Sequence, residues 1–439
     1  MNNCRLGALK ALLLSLVMIF SATAGFAAER PAPQEVVQTW YKLVLELVRH
    51  TSNYSPPVAS RSFAYLGVTA YQSVAGEGTG LKSLVGQLNG LTALPEREKG
   101  AVYDDAVVLN AALSVSMKQL FDRTGPTGQH VFGKLSKKMH ADVSDGLPQD
   151  VVDRSAAYGE KVALAVLEWS KSDGGAVVEN MGFPLEYALS KEPGHWVPTS
   201  LIRQQQMPLL PEWGKNRTFA MPGGASCGLP DPPAFSEDKN SAFYKEADEV
   251  YRAVKDITPE HKTIARFWSD DPMLSPTPPG HWISIAMEVL EKEHADLPKT
   301  VDAMARLGIV LADSFIGCWD AKFKFDLIRP ITYIRKTMDP KWDALLITPP
   351  FPEYPSGHST QSGAAAGVLA ELFGKDYAFD DHTHEKDGLG VRHFKSFREA
   401  AEEAAISRLY GGIHFRSAIM NGLDQGDCIA AYTNALKTR

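Results

Sequence analysis

The sequence predicts an all-α fold built from helical bundles, and three observations carry that expectation. Apolar residues recur at steps of three and four through segment after segment, sustained period-two alternation is scarce, and the segments are separated by proline-rich loops. Composition agrees: 44% of the 439 residues are hydrophobic and 22% are charged, which excludes disordered, collagen-like and disulfide-scaffold classes. A net charge of −7 argues against a sequence-independent nucleic-acid binder, which carries the opposite sign.

The first 27 residues read as a leader. Arg5 and Lys10 precede the apolar run 11–20, and Ser21-Ala22-Thr23-Ala24-Gly25 follows at once. A basic start, a short apolar core and small residues before cleavage are the layout of a secretory signal peptide. The run is short for a membrane span. The expectation is an exported protein, periplasmic or secreted, without membrane contact after cleavage. Removing the leader leaves Cys227, Cys318 and Cys428, which allow at most one disulfide and show no metal-type spacing.

Val37, Trp40, Leu43 and Leu47 then mark 34–50 as an amphipathic helix. Segments 59–75, 101–122 and 150–172 follow with the same rhythm. Segments 238–256, 281–296, 298–328, 360–373 and 394–410 repeat it, with Ala, Leu, Glu and Lys dominant. Proline marks the loops 208–233, 272–280 and 339–355. The first of these is the candidate boundary between an N-terminal helical region, 28–235, and a C-terminal helical bundle, 236–439.

Three features carry chemistry. In helix 298–328 the inward positions Val301, Met304, Gly308, Leu311, Phe315 and Cys318 continue at the same steps to Lys322, Phe325 and Arg329. A buried face therefore ends in two cations, with Pro330 closing the helix. Taken alone, these cations equally suit snorkelling or pairing with core carboxylates. The second feature is Phe351-Pro352-Glu353-Tyr354-Pro355-Ser356-Gly357-His358. It places the amides of Ser356 and Gly357 at a helix N-terminus that attracts an oxyanion, with the Ser356 hydroxyl as a further donor and His358 as a proton exchanger. A capped helix with an incidental histidine is the plainer alternative. Third, Arg408 ends a helix, Gly411-Gly412 breaks it, and His414 turns back. Together these segments supply the donors for a tetrahedral oxyanion and a histidine to approach it in line.

In order and spacing, Lys322-x6-Arg329-Pro330, Pro355-Ser356-Gly357-His358 and Ser407-Arg408-x5-His414 resemble the three-part signature of the phosphatidic acid phosphatase type 2 and vanadium-dependent haloperoxidase superfamily. Trp319 and Phe351 resemble the chloroperoxidase-type pocket. The stretches 56–61, 213–217, 267–271 and 279–282 look like bacterial haloperoxidase-like members. The resemblance implies that Lys322, Arg329, Ser356, Gly357 and Arg408 bind the oxygens of vanadate, with His414 as axial ligand to vanadium and His358 as acid–base. It implies that Asp271, or alternatively Asp270, orients Arg408, that Lys322 polarises a peroxide oxygen, and that Trp319 and Phe351 shape the halide pocket. The implied activity is halide oxidation by hydrogen peroxide. The alternative is an acid phosphatase acting on phosphate monoesters through a phosphohistidine, with phosphate replacing vanadate, because one trigonal-bipyramidal pocket suits both chemistries.

One departure weighs against the phosphatase. The superfamily usually has aspartate four residues after the last histidine, and this chain has Ala418. Asp424 and Asp427 follow as possible substitutes for the carboxylate that would orient His414. Asp380-Asp381-His382-Thr383-His384-Glu385 reads as a solvated loop rather than a metal site.

Overall fold

The computed structural model of the chain describes residues 30–439 apart from 77, 177–181, 185 and 201–205; the leader expected over 1–27 lies outside the described residues. Among the described residues there are thirteen α-helices and one two-stranded sheet. The first five helices are α1 (Pro33–His50), α2 (Pro56–Val74), α3 (Asp105–Leu120), α4 (Pro126–Ser144) and α5 (Gln149–Ser170). After the proline-rich loop come α6 (Ala242–Lys255), α7 (Pro259–Phe267), α8 (Thr277–Lys292), α9 (Leu297–Phe325), α10 (Pro330–Thr337) and α11 (Gly357–Phe373). The strands β1 (Phe379–Asp381) and β2 (Arg392–Phe394) pair antiparallel before α12 (Phe397–Tyr410) and α13 (Arg416–Asn434).

Residues Ala32–Arg439 form one compact unit. Its centre is the pair α2 and α9, each buried on almost every side, which is what a helix apolar all round requires. They approach so closely that a Cβ on Gly308 would stand 2.6 Å from the Phe63 carbonyl oxygen. Loop 208–233 packs into the same unit. Asp313 of α9 accepts the backbone N–H groups of Phe219, Ala220 and Met221 at 2.6, 2.9 and 3.0 Å, and Cys227 is disulfide-bonded to Cys428 of α13. Cys318 is free and buried.

Two expectations need correction. The long helix does not run to 328. It stops at Phe325, where Asp326 turns left-handed (φ 45°), and Arg329 is the extended N-cap of α10 with Pro330 in that helix's first turn. Proline suits that position because its missing N–H would be unpaired there anyway. Arg329 thus reaches the Lys322 neighbourhood by a chain reversal, not along one helical face. Helices α4, α7, α10 and α13 were also not expected. In α4 only Met139 and Val143 are buried, leaving little apolar stripe. In α13 the contact with α11 is made by small residues: a Cβ on Gly363 would meet the Leu423 carbonyl oxygen at 2.7 Å. Backbone-to-backbone packing of that kind leaves no leucine rhythm.

Candidate oxyanion site

Four pieces of chain bring the three motifs together. The last turn of α9 carries Lys322, the N-cap of α10 is Arg329, the start of α11 carries Ser356, Gly357 and His358, and the last turn of α12 carries Arg408. Gly412, at φ 76°, reverses the chain so that His414 points inward; a left-handed residue costs least as glycine. Lys322, Arg329, Arg408 and His414 are each at most 2% exposed.

Lys322 is committed to the fold of the loop before α11. Its ammonium donates to the carbonyls of Pro352 at 3.0 Å, Glu353 at 2.9 Å and Pro355. Burial pushes it down to about 7, so an arriving anion would hold its proton on. Arg329 donates from Nε to Phe351 O and from Nη1 to Ile413 O, each at 2.9 Å, while its buried Nη2 has no partner. Burial lowers both Arg329 and Arg408 to about 10, which leaves them cations at neutral pH.

His414 is held at both nitrogens. Nδ1 lies 2.7 Å from Glu353 Oε1 and Nε2 lies 3.2 Å from Arg329 Nη1. Burial and the neighbouring cations Arg329, Lys322 and Arg408 push its basicity far down, so the ring is neutral. Nδ1–H donates to the carboxyl oxygen, and Nε2 keeps its lone pair facing the cations. Glu353 is fully buried; burial raises its pKa, with Arg329 and Lys322 opposing. Its Oε1 also accepts the Phe415 N–H at 2.8 Å. Glu353 was not singled out from the sequence. Its signal was a lone acid inside a run of apolar and proline residues, five positions before His358.

The other flank is organised by the backbone of Trp268. Its carbonyl accepts Arg408 Nη2, which also reaches Ala265 O at 3.3 Å, while Arg408 Nε donates to Ser407 Oγ at 3.0 Å. The same carbonyl takes a hydrogen bond from His358, whose Nε2 is buried without a partner. Burial and Arg408 lower His358 well below the usual histidine range. Asp271, expected to orient Arg408, and Asp270 both act on it through charge, whereas its hydrogen bonds go to Ser407 and to carbonyls. The expected pair of helix-terminal amides is also reduced. Ser356 N–H is spent on Ala418 O at 3.0 Å, leaving the Ser356 hydroxyl and the Gly357 amide. A Cβ on Gly357 would make ordinary van der Waals contact with Cys318, Trp319 and Phe315, at 3.8–3.9 Å, so this glycine borders the aromatic wall of the site.

The segment 380–385 is not a solvated loop. Asp381 and His384 are buried in a chain of ion pairs. His281 bridges Asp270 and Asp381 at 2.8 Å each, and His384 bridges Asp270 and Asp387 at 2.9 Å each. Arg49 reaches Asp387 at 3.0 Å. Asp270, His281 and His384 present ligand atoms within 4.8 Å of one another. Every one of these imidazole nitrogens already faces a carboxylate, however, and the carboxylates raise His281 to about 10 and raise His384 as well. With each ring nitrogen already matched to a carboxylate, these residues form an ion-pair network as they stand. It supports the site through Trp268, whose ring stacks on His281 at 4.4 Å.

Trp319 and Phe351 stand 4.9 Å apart, and Lys322 Nζ lies 5.1 Å from the Phe351 ring centre. The pocket therefore has an aromatic wall beside its cations. Asp424 and Asp427 are solvent-exposed, and Asp427 pairs with Arg398 at 2.7 Å; neither replaces a carboxylate at 418. Glu353 instead puts a carboxyl oxygen 2.7 Å from His414 Nδ1. The residues fit a tetrahedral oxyanion: two arginines and a lysine converge, Arg329 Nη2 and His358 Nε2 lack partners, and both histidines are neutral.

Residues 302–439 match the family model described as the VCPO second helical-bundle domain. The chain is 39% identical to a bacterial vanadium-dependent iodoperoxidase of known crystal structure, with a TM-score of 0.84 over 93% of this chain and 98% of that one. A bacterial vanadium-dependent chloroperoxidase shares the fold at 16% identity, with a TM-score of 0.65 over 94% of this chain and 93% of that one. The vanadium chloroperoxidase of Curvularia inaequalis is 26% identical over 60% of this chain and 57% of its own length. The vanadium-dependent bromoperoxidase of Ascophyllum nodosum is 35% identical over 20% of this chain and 18% of its own length. The chain thus spans little more than half of the first of these two relatives.

Proposed function

The chain belongs to the vanadium-dependent haloperoxidase family, and on that premise we propose that it binds vanadate and oxidises halide with hydrogen peroxide. The observation that carries the reading is buried positive charge from Lys322, Arg329 and Arg408 gathered around two neutral histidines. Arg329, Arg408, the Ser356 hydroxyl and the Gly357 amide would hold the oxyanion, Lys322 would add positive charge while its three donors stay on the loop carbonyls, and His414 Nε2 would meet the vanadium. Bound vanadate supplies Lewis-acid activation of peroxide without a change of oxidation state.

The chain's own groups do the rest. Arg329 and Arg408 stay charged and balance the anion in a site of low dielectric. His358 Nε2 is free to exchange a proton at the site while the Trp268 carbonyl fixes the ring. Trp319 and Phe351 keep water from one wall and leave a polarisable surface for a halide. The Cys227–Cys428 disulfide supports export, since disulfides persist in oxidising compartments.

The test compares two assays on anion-stripped protein. Orthovanadate, peroxide and iodide or bromide with a halogen-trapping dye should give vanadate-dependent turnover that phosphate suppresses by competition. A chromogenic phosphate monoester without vanadium should turn over far more slowly. Ester hydrolysis with no vanadate-dependent halide oxidation would overturn the proposal.

A further inference from the structure

The loop 351–357 does two jobs at once. It carries the donors Ser356 and Gly357, and it carries Glu353, whose Oε1 lies 2.7 Å from His414 Nδ1 and 2.8 Å from the Phe415 nitrogen. The Glu353 backbone is pinned on both sides: its N–H donates to Leu327 O at 2.9 Å and its carbonyl accepts Lys322 Nζ at 2.9 Å. A side chain whose root and tip are both fixed has one place to put its oxygen. Position 418 is used differently, because Ala418 is buried and its carbonyl takes the Ser356 N–H at 3.0 Å. His414 also precedes α13, which begins at Arg416, so the two residues are not stacked on successive turns of one helix.

We propose that Glu353 is the positioning residue for His414: its Oε1 holds the proton on Nδ1, so that Nε2 presents its lone pair to the oxyanion among Lys322, Arg329 and Arg408. The proposal rests on the reading of His414 as an oxyanion ligand. The role belongs to the position of the oxygen rather than to its charge. Oε1 accepts from two N–H donors whether Glu353 is ionised or carries a proton on Oε2, an atom without a partner. Outer-shell partners of metal-ligating histidines typically govern affinity by 10–100-fold when removed, because they fix ring orientation and tautomer.

Two substitutions separate position from charge. Glu353→Gln keeps the reach and an acceptor oxygen but loses the charge; Glu353→Asp keeps the charge but withdraws the oxygen by one methylene. Orthovanadate and inorganic phosphate affinities are measured by calorimetry on anion-stripped protein, and 15N spectra of histidine-labelled, anion-free protein report the His414 tautomer. Positioning predicts that Gln binds both anions within about threefold of wild type and keeps Nδ1 protonated. Asp should bind about tenfold or more weakly, with a mixed tautomer. The reverse ranking, or an unchanged tautomer and affinity in both variants, overturns the proposal. Wild-type protein that binds neither anion would instead overturn the functional reading, while the tautomer spectra still decide the role of Glu353.

Discussion

His414 and His281 are equally shut away from solvent, at 2% and 0% exposed, yet their basicities move in opposite directions. Burial disfavours the imidazolium in both cases. Around His414 the neighbours Arg329, Lys322 and Arg408 add to that penalty; around His281 the carboxylates Asp270 and Asp381 overcome it. The second region is close to self-neutral, with Asp270, Asp381 and Asp387 against His281, His384 and Arg49. The first holds more positive than negative charge. Two buried histidine clusters in one molecule therefore differ in charge balance: one is close to neutral as it stands, and the other carries an excess of positive charge.

The largest effect should separate the two regions. His281→Leu leaves Asp270 and Asp381 buried without their shared partner and should cost about 3–5 kcal/mol of stability by urea unfolding. His414→Leu should cost far less, because it removes a ring crowded by cations, yet it should abolish vanadate-dependent halide oxidation and vanadate binding. Equal stability losses in the two variants would break the comparison.

The next effect is at position 418. Ala418 is fully buried and His414 Nδ1 is already taken by Glu353. Ala418→Asp should therefore lower stability by about 1–3 kcal/mol, through a buried polar group without a partner, and should not raise phosphate-ester hydrolysis. A stable variant with faster hydrolysis would show that the Glu353 contact does not fill this role.

The smallest effect is in the pH dependence, and its sign differs between the regions. His281 is raised from 6.5 to about 10, so its stabilisation is fully present below pH 6.5 and is lost as pH rises through about 10. His358 and His414 are lowered, so the unfolded chain takes up their protons first and stability falls as pH drops below 6.5. Asp381→Asn removes one of the two carboxylates that hold the His281 proton. It should move the alkaline loss to lower pH and leave the acid limb in place, measured as urea midpoints from about pH 5 to 10. An unchanged alkaline limb would place the network's charge elsewhere.

Much of the site was legible in the chain because local rules govern it. Pro355-Ser356-Gly357 makes a turn and a helix start wherever it folds, and Gly412 permits a reversal that other residues resist. Lys322 and Arg329 stood out as cations continuing an apolar helix face, and Arg408, His358 and His414 by their places at a helix end and beside turns. Glu353 did not, because a lone acid among apolar and proline residues is only a faint signal; its partner lies 61 positions away. The network failed the same way. Asp270, His281 and the pair Asp381 and His384 come from three stretches, and only their meeting turns an acid and a histidine of an apparently hydrophilic loop into core residues.

The sequence by itself determined that the chain is helical, where most helices lie, and which cations and histidines stand at helix ends and turns, because periodicity, capping and turn chemistry act over a few residues. Tertiary structure alone decided which nitrogen of His414 faces the cations, that Lys322 spends its hydrogen bonds on a loop, that Trp268 steadies Arg408 and His358, and that a second set of histidines is ringed by carboxylates. Those properties depend on the sign and distance of groups brought together from remote parts of the chain. In a buried site of low dielectric, those neighbours outweigh anything a residue carries on its own.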